Sequence, residues 1–475
     1  MALLSLPVCL LAQEWFAIAP FLITAGISAG LGQLLYCWGR KAEHTHYRQA
    51  MITVALGWGI VPLLGALPLW LIAQALGESA GPTVSVFQNG WNAAFEGMSG
   101  FTSAGLTMSI QESLLPASLQ WWRSFMQWVG GVGVIVLMLA LLEPGSGAYQ
   151  LYSAEGRQQR IGLTVHQTVR RIWWIYALFT LAGMILFRVV GMDWWAALNH
   201  SMTAISTGGF SITDNSMGDY DVPIKIAVMV MMVMGAIAFS NHDRFLRQRQ
   251  LSAYWQDEQH RLLWVLLLLG AVFILFEQYA TSSIFHWTDS LFQWVSALTT
   301  CGFGSESVQF WSDNAKLLLS LGMIVGGAAG STVGGIKLSR AAILIKAVGW
   351  RFERTVLQPH EMMRYWIDDR PKTEAEASRQ INSAAVLLVL WLLLISCGVS
   401  LLLRLVPAEY TLSDVIFEAA SALGSAGLST GITGPTLHWS GKLTLMLLMW
   451  MGRLEVVPVM VLLALPLRRL TNTKR

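Results

Sequence analysis

Charge is scarce in this chain. Charged residues make up 12% of its 475 positions, against about 25% in an ordinary soluble protein. No polar stretch is long enough to make a separate soluble domain. Cysteine is also sparse: Cys9, Cys37, Cys301 and Cys397 have no metal-ligand spacing, and the three in apolar stretches read as small buried hydrophobes. Residues 1–13 hold no Lys or Arg, so they lack the charged start of a secretory signal. The connections carry no nucleotide-binding motif, and His44, His46, His166 and His360 sit near them without ligand spacing. No cluster of His, Asp and Glu and no nucleophile constellation is present, which argues against a membrane-embedded enzyme.

What is abundant is apolar. Hydrophobic residues reach 54% and the mean hydropathy is +0.52. Several runs, such as Ala384–Leu403 and Leu443–Leu467, approach or exceed the ~18 residues that mark a membrane span. The 22 tryptophans fit interfacial belts or packing between helices. The chain therefore reads as an all-α polytopic membrane protein. Its pattern predicts nine spans, near residues 15–38, 50–76, 120–142, 168–190, 222–241, 261–280, 315–347, 381–405 and 441–466. Short amphipathic helices near 88–102, 193–206, 288–299 and 413–424 are too short to cross ~30 Å of hydrocarbon.

Those short segments are one motif repeated. Phe95–Leu106 aligns with Asn199–Phe210, Phe292–Phe303 and Phe417–Leu428. The copies share a hydroxyl column (Ser99, Thr203, Ser296, Ser421), a small-residue column (Gly100, Ala204, Ala297, Ala422) and an unvarying glycine (Gly105, Gly209, Gly302, Gly427). The predicted organisation is a leading transmembrane helix and loop (1–47) followed by four membrane–pore-loop–membrane repeats in pseudo-fourfold arrangement: 48–145, 146–250, 251–350 and 351–475.

Basic residues orient this plan. The connections between repeats carry Arg40, Lys41, Arg48, Arg157, Arg160, Arg170, Arg171, Arg244, Arg247, Arg249 and Arg261, then a run from Lys346 to Arg379, with more at the C-terminus. The loops beside the short helices carry Glu78, Glu112, Asp214, Asp219, Asp221, Glu306, Asp313 and Glu409. The positive-inside rule puts the connections and C-terminus in the cytoplasm and the glycine loops outside. With nine spans the N-terminus is then external. Arg123, Lys225, Lys316 and Lys442 begin second spans, and Arg188 and Arg404 end first ones; all six read as snorkelling interface residues.

Irregular backbone at membrane depth survives only where it is buried in protein or lines a water-filled cavity. Glycine there permits angles that expose carbonyl oxygens, and rings of carbonyls can replace water around a cation. Helix C-terminal ends and outer acids add negative potential. The competing reading of each glycine is a tight turn or a packing contact.

Particular segments carry a resemblance: Gln127-Trp128-Val129-Gly130-Gly131-Val132-Gly133, Ser206-Thr207-Gly208-Gly209-Phe210-Ser211, Gly326-Gly327-Ala328-Ala329-Gly330-Ser331-Thr332-Val333-Gly334-Gly335-Ile336-Lys337, and Gly452-Arg453-Leu454-Glu455. From residue 48 onward the chain resembles the Trk/Ktr/HKT superfamily of potassium transporters, specifically TrkH/KtrB-type membrane subunits. The resemblance implies a bacterial inner-membrane potassium-uptake pore. Its filter would comprise Thr102, Ser103, Gly105, Ser206, Thr207, Gly208, Gly209, Thr299, Thr300, Gly302, Gly424, Ser425 and Gly427. The resemblance makes K+ the expected transported ion. In plant relatives a Ser at the first glycine goes with sodium preference, so Gly105 implies potassium. The resemblance also implies a homodimer in membrane lipid and a separate RCK-type nucleotide-binding regulatory subunit (TrkA/KtrA-like); nothing points to nucleic acid. One leading helix stands where TrkH proteins usually have two and KtrB proteins none. Gly424 replaces the hydroxyl of Thr102, Ser206 and Thr299.

Glycines within an apolar span disfavour continuous helix by up to ~1 kcal/mol each. The third repeat is therefore expected to break into a loop, and the resemblance makes that loop a gate below the filter: Gly326, Gly327, Gly330, Ser331, Thr332, Gly334, Gly335 and, more weakly, Lys337. Close helix packing through small residues is the alternative. Arg453 lies mid-span, where charge is functional by default. It reads as a barrier cation at the gate or as the ion-pair partner of Glu455. A different mechanism, a secondary K+ symporter coupled to Na+ or H+, needs an ionisable relay, for which Glu96, Glu418, Glu455 and His200 are the candidates. Glu96, His200, Gln293 and Glu418 share one column of the motif and read instead as orienting the short helices.

Overall fold

The computed structural model describes residues 1–40, 46–133, 165–281, 285–356 and 363–472. A short apolar helix α1 (Leu6–Leu11) precedes α2 (Trp15–Gly39), which precedes α3 (Tyr47–Leu76). After the turn α4 (Pro82–Ser85) come the short helix α5 (Gly90–Thr102) and α6 (Ala117–Val132). The same succession follows in α7 (Val165–Val189), α8 (Trp194–Ile205), α9 (Val222–Ala236) and α10 (Phe239–Gln248). Next are the turn α11 (Ala253–Gln256), α12 (Glu258–Thr281), α13 (Trp287–Leu298), α14 (Asp313–Val325) and α15 (Leu338–Val356). The last set is α16 (Glu374–Leu402), α17 (Leu412–Gly424), α18 (Trp439–Arg453) and α19 (Val457–Asn472).

Among the described residues five helices are long and apolar enough to cross a membrane, and two bent pairs raise that to seven. Their outward faces carry large apolar side chains such as Leu34, Leu268, Phe273 and Phe276, a surface suited to lipid rather than water. Cys37 and Cys397 lie on such exposed faces, not buried as their apolar surroundings suggested; Cys9 and Cys301 are buried.

The four short helices α5, α8, α13 and α17 are the buried centre. Three of the four start at a side-chain cap, and α13, which follows His286, does not. Asn89 and Asp193 accept from the first-turn N–H groups of α5 and α8, and Thr411 with Asp414 forms a capping box on α17. Glu14, just before α2, caps a different helix: its carboxylate accepts from Ala117 N and Ser118 N at the start of α6, at 2.7 and 2.9 Å.

In the second, third and fourth repeats the helix that follows the short helix is interrupted. The break in the third is the glycine-rich one expected. The breaks in the second and fourth were read as continuous spans and are not. α9 and α10 meet at 100°, and α18 and α19 at 116°. Helix α14, with 13 residues, would cover only about 20 Å alone. The break after α9 is held from outside. His260 Nε2 accepts from Ala238 N at 3.3 Å, and His242 Nε2 bonds the Met234 carbonyl at 2.9 Å. After α18, Glu455 and Val456 sit at φ 55° and 70°, a region that a β-branched residue rarely occupies. The predicted span 120–142 and the boundary near 145 extend outside the described residues, as do Arg157 and Arg160. The connection between α15 and α16 holds a two-stranded hairpin, β1 (Tyr365–Ile367) and β2 (Arg370–Lys372), that the sequence reading missed. Its turn residues Asp368 and Asp369 are both left-handed, as a tight hairpin requires.

Candidate functional site

All four short helices end where their glycines meet. In each loop two residues, two positions apart, have left-handed backbone: Ser103 and Gly105, Thr207 and Gly209, Thr300 and Gly302, Ser425 and Gly427. The loops contact one another in cyclic order. A Cβ on Gly105 would lie 2.4 Å from the Gly208 carbonyl oxygen, one on Gly209 2.2 Å from that of Cys301, one on Gly302 2.1 Å from that of Ala426, and one on Gly427 2.6 Å from that of Ala104. Each glycine is thus demanded twice, by positive φ and by a neighbouring backbone. The C-terminal ends of four helices converge on this ring and bring their negative dipole ends with them.

Two of the four hydroxyls in the repeated column hold the ring, while Thr203 turns back onto its own helix. Ser296 and Ser421 accept from the N–H groups of Gly302 and Gly427 at 3.1 and 3.0 Å. Because a peptide is trans, this turns the Cys301 and Ala426 carbonyls the opposite way, toward the adjoining loop. The Glu96, His200, Gln293 and Glu418 column braces the segment beyond the glycine. Glu96 accepts from Thr107 Oγ1 and Met108 N, both at 2.8 Å. His200 bonds Ser211 at 3.0 Å. Glu418 accepts from Ser429, Thr430 and Thr433. Gln293 reaches the Glu306 carbonyl, since the place corresponding to Thr107, Ser211 and Ser429 is Gly304. Sequence reasoning missed that hydroxyl, although its position two residues after the glycine recurs three times. It also missed Gln127, whose side chain donates to Gly208 O at 2.6 Å and accepts from Phe210 N at 2.9 Å. The hydroxyls of Thr102 and Thr299 turn back onto their own helices, and Ser206 does the same.

Below the ring lies the segment between α14 and α15. Gly326, Gly330, Gly335 and Lys337 have positive φ. Thr332 Oγ1 donates to Gly235 O at 2.9 Å and lies 3.0 Å from Ile205 O and 3.3 Å from Thr207 Oγ1. Gly334 N donates to Thr300 Oγ1 at 2.9 Å, and its Cα is packed on the Gly424 carbonyl. Gly327 packs on Val333, and Ser331 bonds the Ala328 carbonyl. Ala328 N and Phe239 N join this loop to the break after α9. Arg453 stands at the end of α18, not mid-helix. It donates to the Gly130, Gly131 and Thr332 carbonyls. Its anticipated partner Glu455 pairs instead with Arg340, and Lys337 bonds the Val333 carbonyl.

Arg123, Lys225, Lys316 and Lys442 do not snorkel. All four are buried, at 1%, 7%, 4% and 2% exposure. Arg123 pairs with Glu96 at 2.7 Å, donates to Ser211 O and stacks over Phe210. Lys225 pairs with Asp289 at 2.8 Å, Lys316 with Asp414 at 2.7 Å, and Lys442 donates to Asn92 Oδ1 at 2.6 Å. Snorkelling was the wrong reading because the acceptors lie on other short helices, far away in sequence.

Glu112, in the loop beyond the first glycine, is buried near Arg123 and Asp214. Burial pushes its carboxyl up to about 7; Arg123 opposes this, and Glu96 and Asp214 add to it. The folded state therefore holds the proton more tightly than the unfolded chain, whose pKa is near 4.5. This contribution to stability is full below pH 4.5 and is lost as pH rises to about 7. Glu112→Gln should unfold at higher temperature than the parent at pH 8 and lose the difference at pH 4.5. Thermal unfolding in detergent across that range checks it.

The chain is a polytopic helical protein in which four short helices aim their C-terminal ends at one glycine ring. The chain belongs to the TrkH family: the family model, described as a cation transport protein, matches residues 21–472. An uncharacterized cation transporter of Methanocaldococcus jannaschii is 33% identical, over 89% of this chain and 84% of that one. The Trk system potassium uptake protein TrkH of Halomonas elongata is 31% identical, over 93% and 90%. The crystal structure of the potassium transporter TrkH from Vibrio parahaemolyticus superposes with a TM-score of 0.81 at 25% identity, covering 97% of this chain and 95% of that one. Membership of a transport family leaves the enzyme reading without support.

Proposed function

We propose that the chain is a potassium-uptake pore of a bacterial inner membrane. Its K+ ions pass the ring of Gly105, Gly209, Gly302 and Gly427, and the loop 326–337 gates them. The closed cyclic contact of those glycines is the observation that carries the reading. The potassium-uptake relatives supply the ion. The loop is hydrogen-bonded to Thr207 and Thr300, the left-handed residues of two ring loops, so any movement of it is felt at the ring. Arg453 fastens it to the end of α6 and puts positive charge beneath the ring. The basic connections are cytoplasmic and the acidic loops external. Regulation comes from a separate nucleotide-binding subunit, and the membrane subunit is a homodimer, as in the family resemblance.

Glu96 and Glu418, the best relay candidates for a Na+- or H+-coupled symporter, already accept several hydrogen bonds from the loops they brace. That occupation favours a structural role over proton transfer. Expression in a bacterium lacking potassium uptake tests the function. Growth at low potassium, with rubidium uptake competed by K+ and not by Na+, is the expected result. Failure to grow with the protein present in the membrane, or equal competition by Na+, overturns it.

A further inference from the structure

The buried lysines form an ordered set. Lys225 on α9 reaches Asp289 on α13, Lys316 on α14 reaches Asp414 on α17, and Lys442 on α18 reaches Asn92 on α5. In every case the inner helix of one repeat grips the first turn of the next repeat's short helix, and the last grips the first. Asn92, Asp289 and Asp414 occupy one column of the repeat, three residues before Phe95, Phe292 and Phe417; the second repeat has Ala196 there. At that junction Arg123 bridges instead, by donating to Ser211 O in the second loop at 3.0 Å. The order of these grips is the order in which the glycines touch.

An acid in the first turn already suits a helix N-terminus without a lysine beside it. Burying the pair adds desolvation that the attraction barely offsets, so such pairs are a poor source of stability and a good source of position. The short helices are rods of about 18–20 Å, clasped at one end and carrying the ring at the other. We propose that these clasps fix the width of the glycine ring, which makes Lys225, Lys316 and Lys442 positioning residues for ion selectivity. This rests on the ring being the ion-selective element.

The Lys225–Asp289 pair is the one to test, because Asp414 also caps its helix. The readout is rubidium uptake by the full-length protein in proteoliposomes, competed by K+ and by Na+. Lys225→Met and Asp289→Asn should each lower the preference for K+ over Na+ about tenfold, the ratio set by 1.4 kcal/mol. The exchanged pair Lys225→Glu/Asp289→Lys and the conservative Lys225→Arg should restore it. Asn92→Asp, which gives Lys442 a carboxylate and gives up only the Asn92 Nδ2 bond to the Val86 carbonyl, should raise the preference and keeps the test open if the single variants do not fold. Folded variants with unchanged preference, Asn92→Asp included, overturn the proposal. Gly302→Ala in the same assay separates the two readings. If it alone alters preference, the clasp idea fails and the ring stands. If neither it nor the clasp variants alter preference, the ring reading fails as well.

Discussion

Gly302→Ala should cut potassium uptake about a hundredfold, the scale of a 1 Å misplacement at a positioned site, while leaving the protein in the membrane. Gly302 has φ 88°, and an added Cβ would lie 2.1 Å from the Ala426 carbonyl oxygen and 2.9 Å from Gly427 Cα. The obstacle is the backbone of the neighbouring loop, so no side chain can swing aside. The left-handed conformation adds roughly 1–2 kcal/mol for any residue with a Cβ. The loops must part or turn their carbonyls, and either outcome spoils the ring. Gly304→Ala is the matched control. It lies two residues on, has no positive φ, and its Cβ would find nothing nearer than 3.8 Å. Uptake close to the parent is expected there. Rubidium uptake, normalised to the folded protein in each membrane, decides between the two outcomes.

Arg453→Met should act in the opposite direction and raise basal uptake. The guanidinium spans the Gly130 and Gly131 carbonyls at the end of α6 and the Thr332 carbonyl of the loop below the ring. A hydrogen bond from a charged donor contributes about 1.5–3 kcal/mol, so losing the tie to the loop shifts a closed–open balance by about ten- to a hundredfold. Removing positive charge from beneath the ring lowers the barrier to a cation as well. Uptake measured without any regulatory partner should therefore rise. If uptake falls in a folded Arg453→Met protein, Arg453 supports the conducting arrangement and is not a restraint on it.

Much of this was legible in the sequence because it is repeated. One glycine in four aligned copies located the loops, and the run from Gly326 to Gly335 marked a broken helix because no helix former interrupts it for long. The bend after α9 carried no such mark. Ala236, Ile237 and Ala238 are ordinary helix or strand residues, and the break exists because His242, His260 and the loop at 328–332 bond the freed backbone groups. Those partners meet only in three dimensions. The buried lysines were hidden for the same reason. Lys225 and Asp289 are 64 residues apart and Lys442 and Asn92 are 350 apart, so each base looked like an isolated charge at a helix end. Arg453 and Glu455, adjacent enough to suggest a pair, are separated by the left-handed turn at Glu455 and Val456 that sends the carboxylate to Arg340.

A ring that passes potassium holds a cation on the axis of its four glycines. Anomalous X-ray diffraction from crystals of the full-length protein grown with rubidium in place of potassium tests it directly. The expected result is an anomalous peak inside the ring of Gly105, Gly209, Gly302 and Gly427. Rubidium bound beside Glu96 or Glu418, with the ring empty, would contradict it.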